Sequence, residues 1–150
     1  MQLFLRLLHG RIAVALLLFS ATMTVVAAEA DIFIIANPQS EVRQLDRAQM
    51  RAIFSLGRQY WPNGTPVRVA TLQSDSPQHA EFCQQILGVY PHVLDVAWTR
   101  QMASGQAWNG RTFTTEKQLL EYVRRVPGAI GYVSSMSHVT DDLLTVEVPR

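Results

Sequence analysis

Short apolar segments alternate with helical segments along this chain of 150 residues, and the alternation limits the folds open to it. Four runs have the length and composition of buried strands: residues 31–36, 67–72, 129–133 and 144–148. Apolar residues at helical spacing predict helices over 46–54, 76–87, 91–102 and from 114 or 115 to 125. This order predicts an α/β domain with a mostly parallel or mixed sheet of about four or five strands flanked by helices.

Local signals mark where the helices begin and end. Asp46 suits the N-cap of the first helix, and Ser76-Pro77 suits the start of the second, since serine accepts a hydrogen bond from a free N–H and proline fits the first turn. Residues 104–111 are rich in glycine and polar side chains and are predicted to form a loop, in which Trp108 covers an exposed edge or meets a partner.

Residues 1–30 have the features of a signal peptide. Arg6 and Arg11 give a basic start, residues 12–19 are apolar, and small residues follow, so we expect cleavage after Ala28 or Ala30 and export to the periplasm. An uncleaved membrane anchor is the alternative, because residues 12–28 carry no charge and approach the length of a spanning helix. After cleavage we expect no membrane insertion.

The charge balance argues against a nucleic-acid partner. The chain has 13 Lys and Arg against 12 Asp and Glu. Residues 1–30 hold Arg6, Arg11 and Glu29, so residues 31–150 have 11 of each sign and no net charge. Nucleic-acid binders normally show a basic surplus. Cys83 is the only cysteine, which excludes an internal disulfide, and its helical position predicts a buried, inert thiol.

Two blocks carry a family resemblance. Residues 53–69 (IFSLGRQYWPNGTPVRV) read as a helix end, a stop at Gly57, an aromatic anchor at Trp61, a tight turn and a strand, and residues 127–133 (PGAIGYV) read as a helix exit into a buried strand. Together they resemble the phosphate-binding proteins of ABC importers, within the type 2 periplasmic binding protein superfamily. Those proteins have two lobes, and residues 31–150 have room for one.

The resemblance implies a periplasmic solute-binding protein that holds phosphate or another small oxyanion weakly, with an ABC permease or a second protein lobe as partner. It implies no enzyme activity and no cofactor. The alternative is a lobe reused as an interaction or envelope-signalling module without a ligand.

Ligands of open parallel sheets bind at the carboxyl ends of the strands. Polar loops at 37–40, 73–76 and 134–135 follow three of the predicted strands, and the helix after Ser76 would point its free N–H groups at an anion. A helix cap is the alternative role of Ser76. The candidate anion-binding residues are Asn37, Ser40, Ser74, Asp75, Ser76, His79, Arg111 and Ser134.

The predicted anion loop departs from the pattern of the family. That pattern reads R-x-D-G-S-G-T, whereas residues 72–79 here read LQSDSPQH. Asp75 and Ser76 match only loosely, the arginine and both glycines are missing, and Pro77 removes one N–H. Arg111 is the candidate replacement for the lost arginine. Weak anion binding is therefore expected, unless a second chain closes over the loops.

Signals for catalysis and metal binding are absent from the sequence. No G-x-S-x-G turn accompanies a candidate triad. His79 and Cys83 lie four residues apart with His92 nearby, but structural zinc takes four ligands and Cys83 is predicted to face the core, so we expect no metal site.

Overall fold

The computed structural model of the protein describes residues 31–105 and 109–149. The signal-peptide prediction for residues 1–30 and the prediction for Trp108 lie outside these ranges. The helices and strands of the described residues are β1 (Phe33–Ala36), α1 (Arg47–Phe54), β2 (Arg68–Leu72), α2 (Pro77–Phe82), α3 (Pro91–Ala103), β3 (Gly110–Phe113), α4 (Glu116–Arg125), β4 (Ala129–Val133) and β5 (Leu144–Val146). A π-helical turn, Cys83–Leu87, continues α2 directly. The α/β prediction is confirmed.

The strands form one mixed sheet in the order β3-β2-β4-β1-β5. β2 pairs in parallel with β3 and β4, whereas β1 pairs antiparallel with β4 and with β5. The sheet is thus mixed rather than mostly parallel. Because β1 runs against its neighbour, its carboxyl end lies at the opposite edge of the sheet from the carboxyl ends of β2, β3 and β4.

β3 corrects the prediction of a loop over residues 104–111. Its sequence, GRTF, has a single apolar residue, and its two central residues are exposed. Its register with β2, from Val69 opposite Gly110 to Leu72 opposite Phe113, makes it an edge strand. Pairing with β2 forms this strand, and apolar periodicity alone could not reveal it.

Helices cover both faces of the sheet. A Cβ on Gly131 would meet Leu119 and Val123 of α4, whereas the next side chain, Tyr132, stacks on Phe82 of α2 with ring centroids 4.0 Å apart. Because neighbouring strand residues point to opposite faces, α4 packs on one face and α2 on the other. Cys83 is fully buried, as predicted. None of the described helices has the length and apolar character needed to cross a membrane.

The two sequence blocks of the family resemblance meet in space. The Trp61 indole Nε1–H donates to the carbonyl of Gly128 at 2.8 Å, and the Arg68 N–H donates to the same oxygen at 3.1 Å. Gly128 has a φ of 72°, and a Cβ there would lie 2.2 Å from the Pro66 carbonyl. This junction therefore requires both the indole and the glycine, and it fixes the register in which β2 pairs with β4.

We expect Trp61→Ala to lower the free energy of unfolding by about 3–5 kcal/mol, because it removes a side chain that is only 3% exposed and leaves a cavity. Trp61→Phe, which keeps an aromatic ring and loses the N–H donor, should cost less. Urea denaturation followed by circular dichroism measures both. An unchanged midpoint for the alanine variant would contradict the anchoring role of Trp61.

Candidate functional site

The carboxyl ends of the three parallel strands bring several loops together. β2 lies between β3 and β4 and runs parallel to both, so the loops 73–76, 114–115 and 134–135 emerge at one edge of the sheet, here called the strand-end edge. The predicted residues Ser74, Asp75, Ser76 and Ser134 all lie in these loops. In open α/β sheets this edge is where ligands bind.

The predicted residues Asn37 and Ser40 do not lie at the strand-end edge, because β1 is antiparallel to β4. Asn37 follows β1 at the opposite edge, where its Nδ2 donates to the carbonyls of Val123 and Arg124 at 3.1 and 3.0 Å. The Ser40 hydroxyl donates to the Asn37 carbonyl at 2.7 Å. Both side chains are buried; Asn37 bonds the last carbonyls of α4, and Ser40 bonds the backbone of Asn37. These two residues lie at the opposite edge because β1 runs antiparallel to β4.

Ser76 is the N-cap of α2, which was the alternative role predicted for it. Its hydroxyl accepts a hydrogen bond from the His79 N–H at 3.4 Å and donates to the Gln78 side chain at 2.9 Å. Pro77 occupies the first turn of α2 and offers no N–H. Asp75 is exposed. The start of α2 therefore presents fewer donors to an anion than a glycine-rich loop would.

Two further hydrogen-bond donors of the strand-end edge, on Ser74 and Ser134, are bonded to carboxylates of the protein itself. The Ser74 hydroxyl donates to Asp95 Oδ1 of α3 at 2.8 Å, and the Ser134 backbone N–H donates to Glu116 Oε1 at the start of α4 at 2.8 Å. Sequence reasoning did not identify Asp95 or Glu116 as part of the site. An acidic residue in the first helical turn after the Thr115 cap was the available signal for Glu116.

His79, a predicted ligand residue, lies behind the strand-end edge and is fully buried. Its Nδ1 is 2.7 Å from the Tyr132 hydroxyl, and its Nε2 is 3.5 Å from Cys83 Sγ. Burial lowers the pKa of His79, and the negative charge of Asp95 opposes this in part. The neutral ring is therefore a structural group that ties α2 to β4.

Arg111 lies within β3, opposite Ala70 of β2, and before the loop that follows the strand. Its guanidinium stacks at 5.7 Å from the Phe113 ring and 5.8 Å from the Tyr122 ring of α4. It therefore lies on the α4 face of the sheet, whereas α2 packs on the other face. Arg111 therefore does not occupy the place that an arginine in the loop 73–76 would have.

No group of three or more His, Cys, Asp or Glu side chains in residues 31–105 and 109–149 is arranged to hold a metal ion. The strand-end edge offers hydroxyls and carboxylates, and its chemistry is that of hydrogen bonding and charge.

The fold is shared with proteins of known structure. No protein-family model and no curated protein sequence matches the chain. A Clostridium perfringens protein classed as a phosphate ABC transporter substrate-binding protein, with bound phosphate, is 21% identical with a TM-score of 0.58. An ABC-type phosphate transport receptor from Vibrio cholerae is 16% identical with a TM-score of 0.59, and PstS from Borrelia burgdorferi is 13% identical with a TM-score of 0.59. The chain has the fold of one lobe of a phosphate-binding protein.

The alignments cover 78% of this chain but only 44%, 45% and 46% of these three proteins. The chain thus spans less than half of their length. The resemblance seen in the sequence is confirmed for the fold. At the strand-end edge of this lobe, the Ser74 hydroxyl is bonded to Asp95 and the Ser134 N–H to Glu116.

We expect Ser76→Ala to lower the free energy of unfolding by about 0.5–2 kcal/mol through loss of the helix cap. Ser76→Asp keeps an acceptor for the His79 N–H and should stay close to the unmodified protein. Chemical denaturation of residues 31–150 measures both variants. Equal stability of the alanine variant and the unmodified protein would show that the cap contributes nothing.

Proposed function

We propose that this phosphate-binding-protein lobe is exported to the periplasm and acts there as a non-enzymatic interaction module, and not as a transport receptor. The observation that carries the proposal is the occupation of the strand-end edge by Glu116, whose carboxylate accepts the Ser134 N–H at 2.8 Å. Asp95 holds the Ser74 hydroxyl in the same way. An anion at this edge would have to displace these carboxylates or lie beside them.

Charge repulsion from the carboxylates at this edge supports the view that an anion is not bound tightly there. Two like unit charges about 4 Å apart near a protein surface repel by about 4 kcal/mol. Binding with a millimolar dissociation constant corresponds to about 4.1 kcal/mol. A carboxylate about 4 Å from a phosphate would therefore oppose its binding by a free energy comparable with that of a weakly held phosphate.

The outer face of α3 supports a role in protein contact. Tyr90, Val93 and Val96 form this face, here called the α3 face, and they are 65%, 43% and 55% exposed. Leu94 and Trp98 of the same helix are buried in the core. Clustered exposed apolar side chains mark protein interaction sites. The zero net charge of residues 31–150 adds no long-range repulsion toward a protein partner.

Weak oxyanion binding is the second candidate, with an ABC permease or a second protein lobe as partner. Two observations favour it: the fold matches a protein with bound phosphate, and the start of α2 lies at the strand-end edge. Ser74, Asp75, Ser76 and Ser134 would be the residues in contact with the anion.

Thermal melting of residues 31–150 with phosphate, sulfate or acetate separates the two candidates. We expect no shift in Tm at millimolar concentrations that exceeds the shift given by chloride at equal ionic strength. A ligand at about 100 times its dissociation constant would stabilise the protein by about 2.7 kcal/mol. A specific rise with phosphate would overturn the interaction-module proposal and support the second candidate.

Glu116→Gln is the matched variant for this test. It keeps an acceptor for the Ser134 N–H and removes the negative charge. If Glu116 excludes the anion, the variant should gain a phosphate-dependent rise in Tm that the unmodified protein lacks. No gain would mean that the charge of Glu116 is not what prevents binding.

Photo-crosslinking in cells tests the α3 face. A crosslinking amino acid at Val96 should give a discrete protein adduct, and the additional change Val93→Ser should weaken it, because both residues belong to the same exposed row. The same amino acid at exposed Lys117 on α4 is the positional control. Equal adducts from both positions, or none from Val96, would contradict contact through the α3 face.

A further inference from the structure

A chain of hydrogen-bonding groups joins three elements directly behind the strand-end edge. The Leu72 N–H of β2 donates to the Tyr132 hydroxyl of β4 at 2.9 Å. That hydroxyl lies 2.7 Å from His79 Nδ1 of α2, and His79 Nε2 lies 3.5 Å from Cys83 Sγ. His79, Tyr132 and Cys83 are all fully buried.

The donors and acceptors of this chain fit a neutral histidine. Since the Tyr132 oxygen already accepts the Leu72 N–H, its own hydrogen is free to point at Nδ1, which then acts as the acceptor. The ring proton is on Nε2 and faces the Cys83 sulfur, a weak acceptor. Each polar group therefore has a partner, which buried polar groups require.

A protonated histidine does not fit the same geometry. Both ring nitrogens would then carry hydrogens. The Tyr132 oxygen would face two N–H donors, and its own hydrogen would lose its acceptor. The site would also hold a positive charge away from water, which is costly unless the charge is paired.

The groups that face the His79 ring decide how well a positive charge could be balanced. Asp95 of α3 is the carboxylate whose charge acts on the ring, and it already accepts the Ser74 hydroxyl. The Trp98 ring of α3 and the Phe82 ring of α2 each lie 6.3 Å away, and the Tyr132 hydroxyl and the Cys83 thiol face the two ring nitrogens. The effect of burial exceeds that of Asp95, because the pKa of His79 is lowered overall.

We propose that His79 is an acid-sensitive latch, whose protonation releases α2 and the π-helical turn Cys83–Leu87 from the sheet while the strands stay paired. α2 has only six residues, and a helix of that length is not stable by itself. Its attachment to the sheet runs through the His79 contact and the stacking of Phe82 on Tyr132. The segment also contacts α1, where Phe82 packs on Phe54 and the Arg51 side chain donates to the Leu87 carbonyl. The latch is independent of the proposed function.

The direction of the pH effect follows from the lowered pKa. Once α2 is released, His79 is exposed to water and regains its ordinary pKa of about 6.5. The closed form therefore binds fewer protons than the open form below that pH. The latch holds at neutral and higher pH and weakens as the pH falls below about 6.5.

Cys83 provides a built-in reporter, since it is the sole cysteine of the chain and lies in the released segment. A dipyridyl disulfide, which reacts with thiols in acid as well as at neutral pH, measures its exposure. The labelling rate of the folded protein is divided by the rate of the urea-unfolded protein at each pH. We expect protection to fall by up to about tenfold per pH unit below 6.5, the value for one coupled proton.

Two histidine variants give the matched comparison. His79→Asn keeps a hydrogen-bonding group near the Nδ1 position and cannot titrate, so the pH dependence of protection should disappear. His92→Asn changes an exposed histidine of α3 and should leave the pH dependence unchanged. Protection that does not vary with pH in the unmodified protein, or an unchanged pH dependence in His79→Asn, would overturn the latch.

Hydrogen exchange of the unmodified protein tests the latch without any variant. After correction for the pH dependence of intrinsic exchange, amides of residues 79–87 should lose protection between pH 7.5 and 5, while amides of β4 keep theirs. Simultaneous loss in both segments would show global unfolding and would overturn the proposal of a local release.

Discussion

The hydrogen bond from the Trp61 indole to the Gly128 carbonyl joins the segment before β2 to the turn before β4. The same carbonyl accepts the Arg68 N–H, so the two strands begin at the same level and pair in parallel from Arg68 opposite Ala129. Their carboxyl ends therefore reach the same edge of the sheet. The positions of Ser74, Ser134 and Glu116 all depend on this alignment.

The strand-end edge combines a shared fold with hydrogen bonds made by the side chains of this chain. The lobe has the architecture of proteins whose structures include one with bound phosphate. Its edge, however, places Asp95 and Glu116 against the donors that an anion would need. The backbone decides where a site can form, and a few side chains decide which charge it accepts.

Buried polar groups link this edge to the core. Tyr132 receives the last N–H of β2 and contacts His79, while Ser74 beside them is tied to α3 through Asp95. α2 is thus held to β4 by an aromatic stack and a polar contact, and to α1 by the packing of Phe82 on Phe54. A titratable group in such a contact makes the attachment of the helix sensitive to pH, whereas the apolar packing of α4 on the other face is not.

The sequence by itself determined the local features of this protein. Apolar runs predicted four of the strands, and the caps Asp46 and Ser76 predicted where two helices begin. The blocks around Trp61 and Gly128 predicted the fold of the lobe. All of these signals depend on residues that are close together in the sequence.

Only the tertiary structure determined the direction of β1, which places Asn37 and Ser40 at the edge opposite the strand-end edge. It also determined that residues 110–113 (GRTF) pair with β2 and so form β3. It also decided that His79 points inward to Tyr132 and that Glu116 meets the Ser134 N–H. These outcomes rest on hydrogen bonds between residues distant in the chain. Local periodicity carries no information on which strand a segment pairs with, or in which direction.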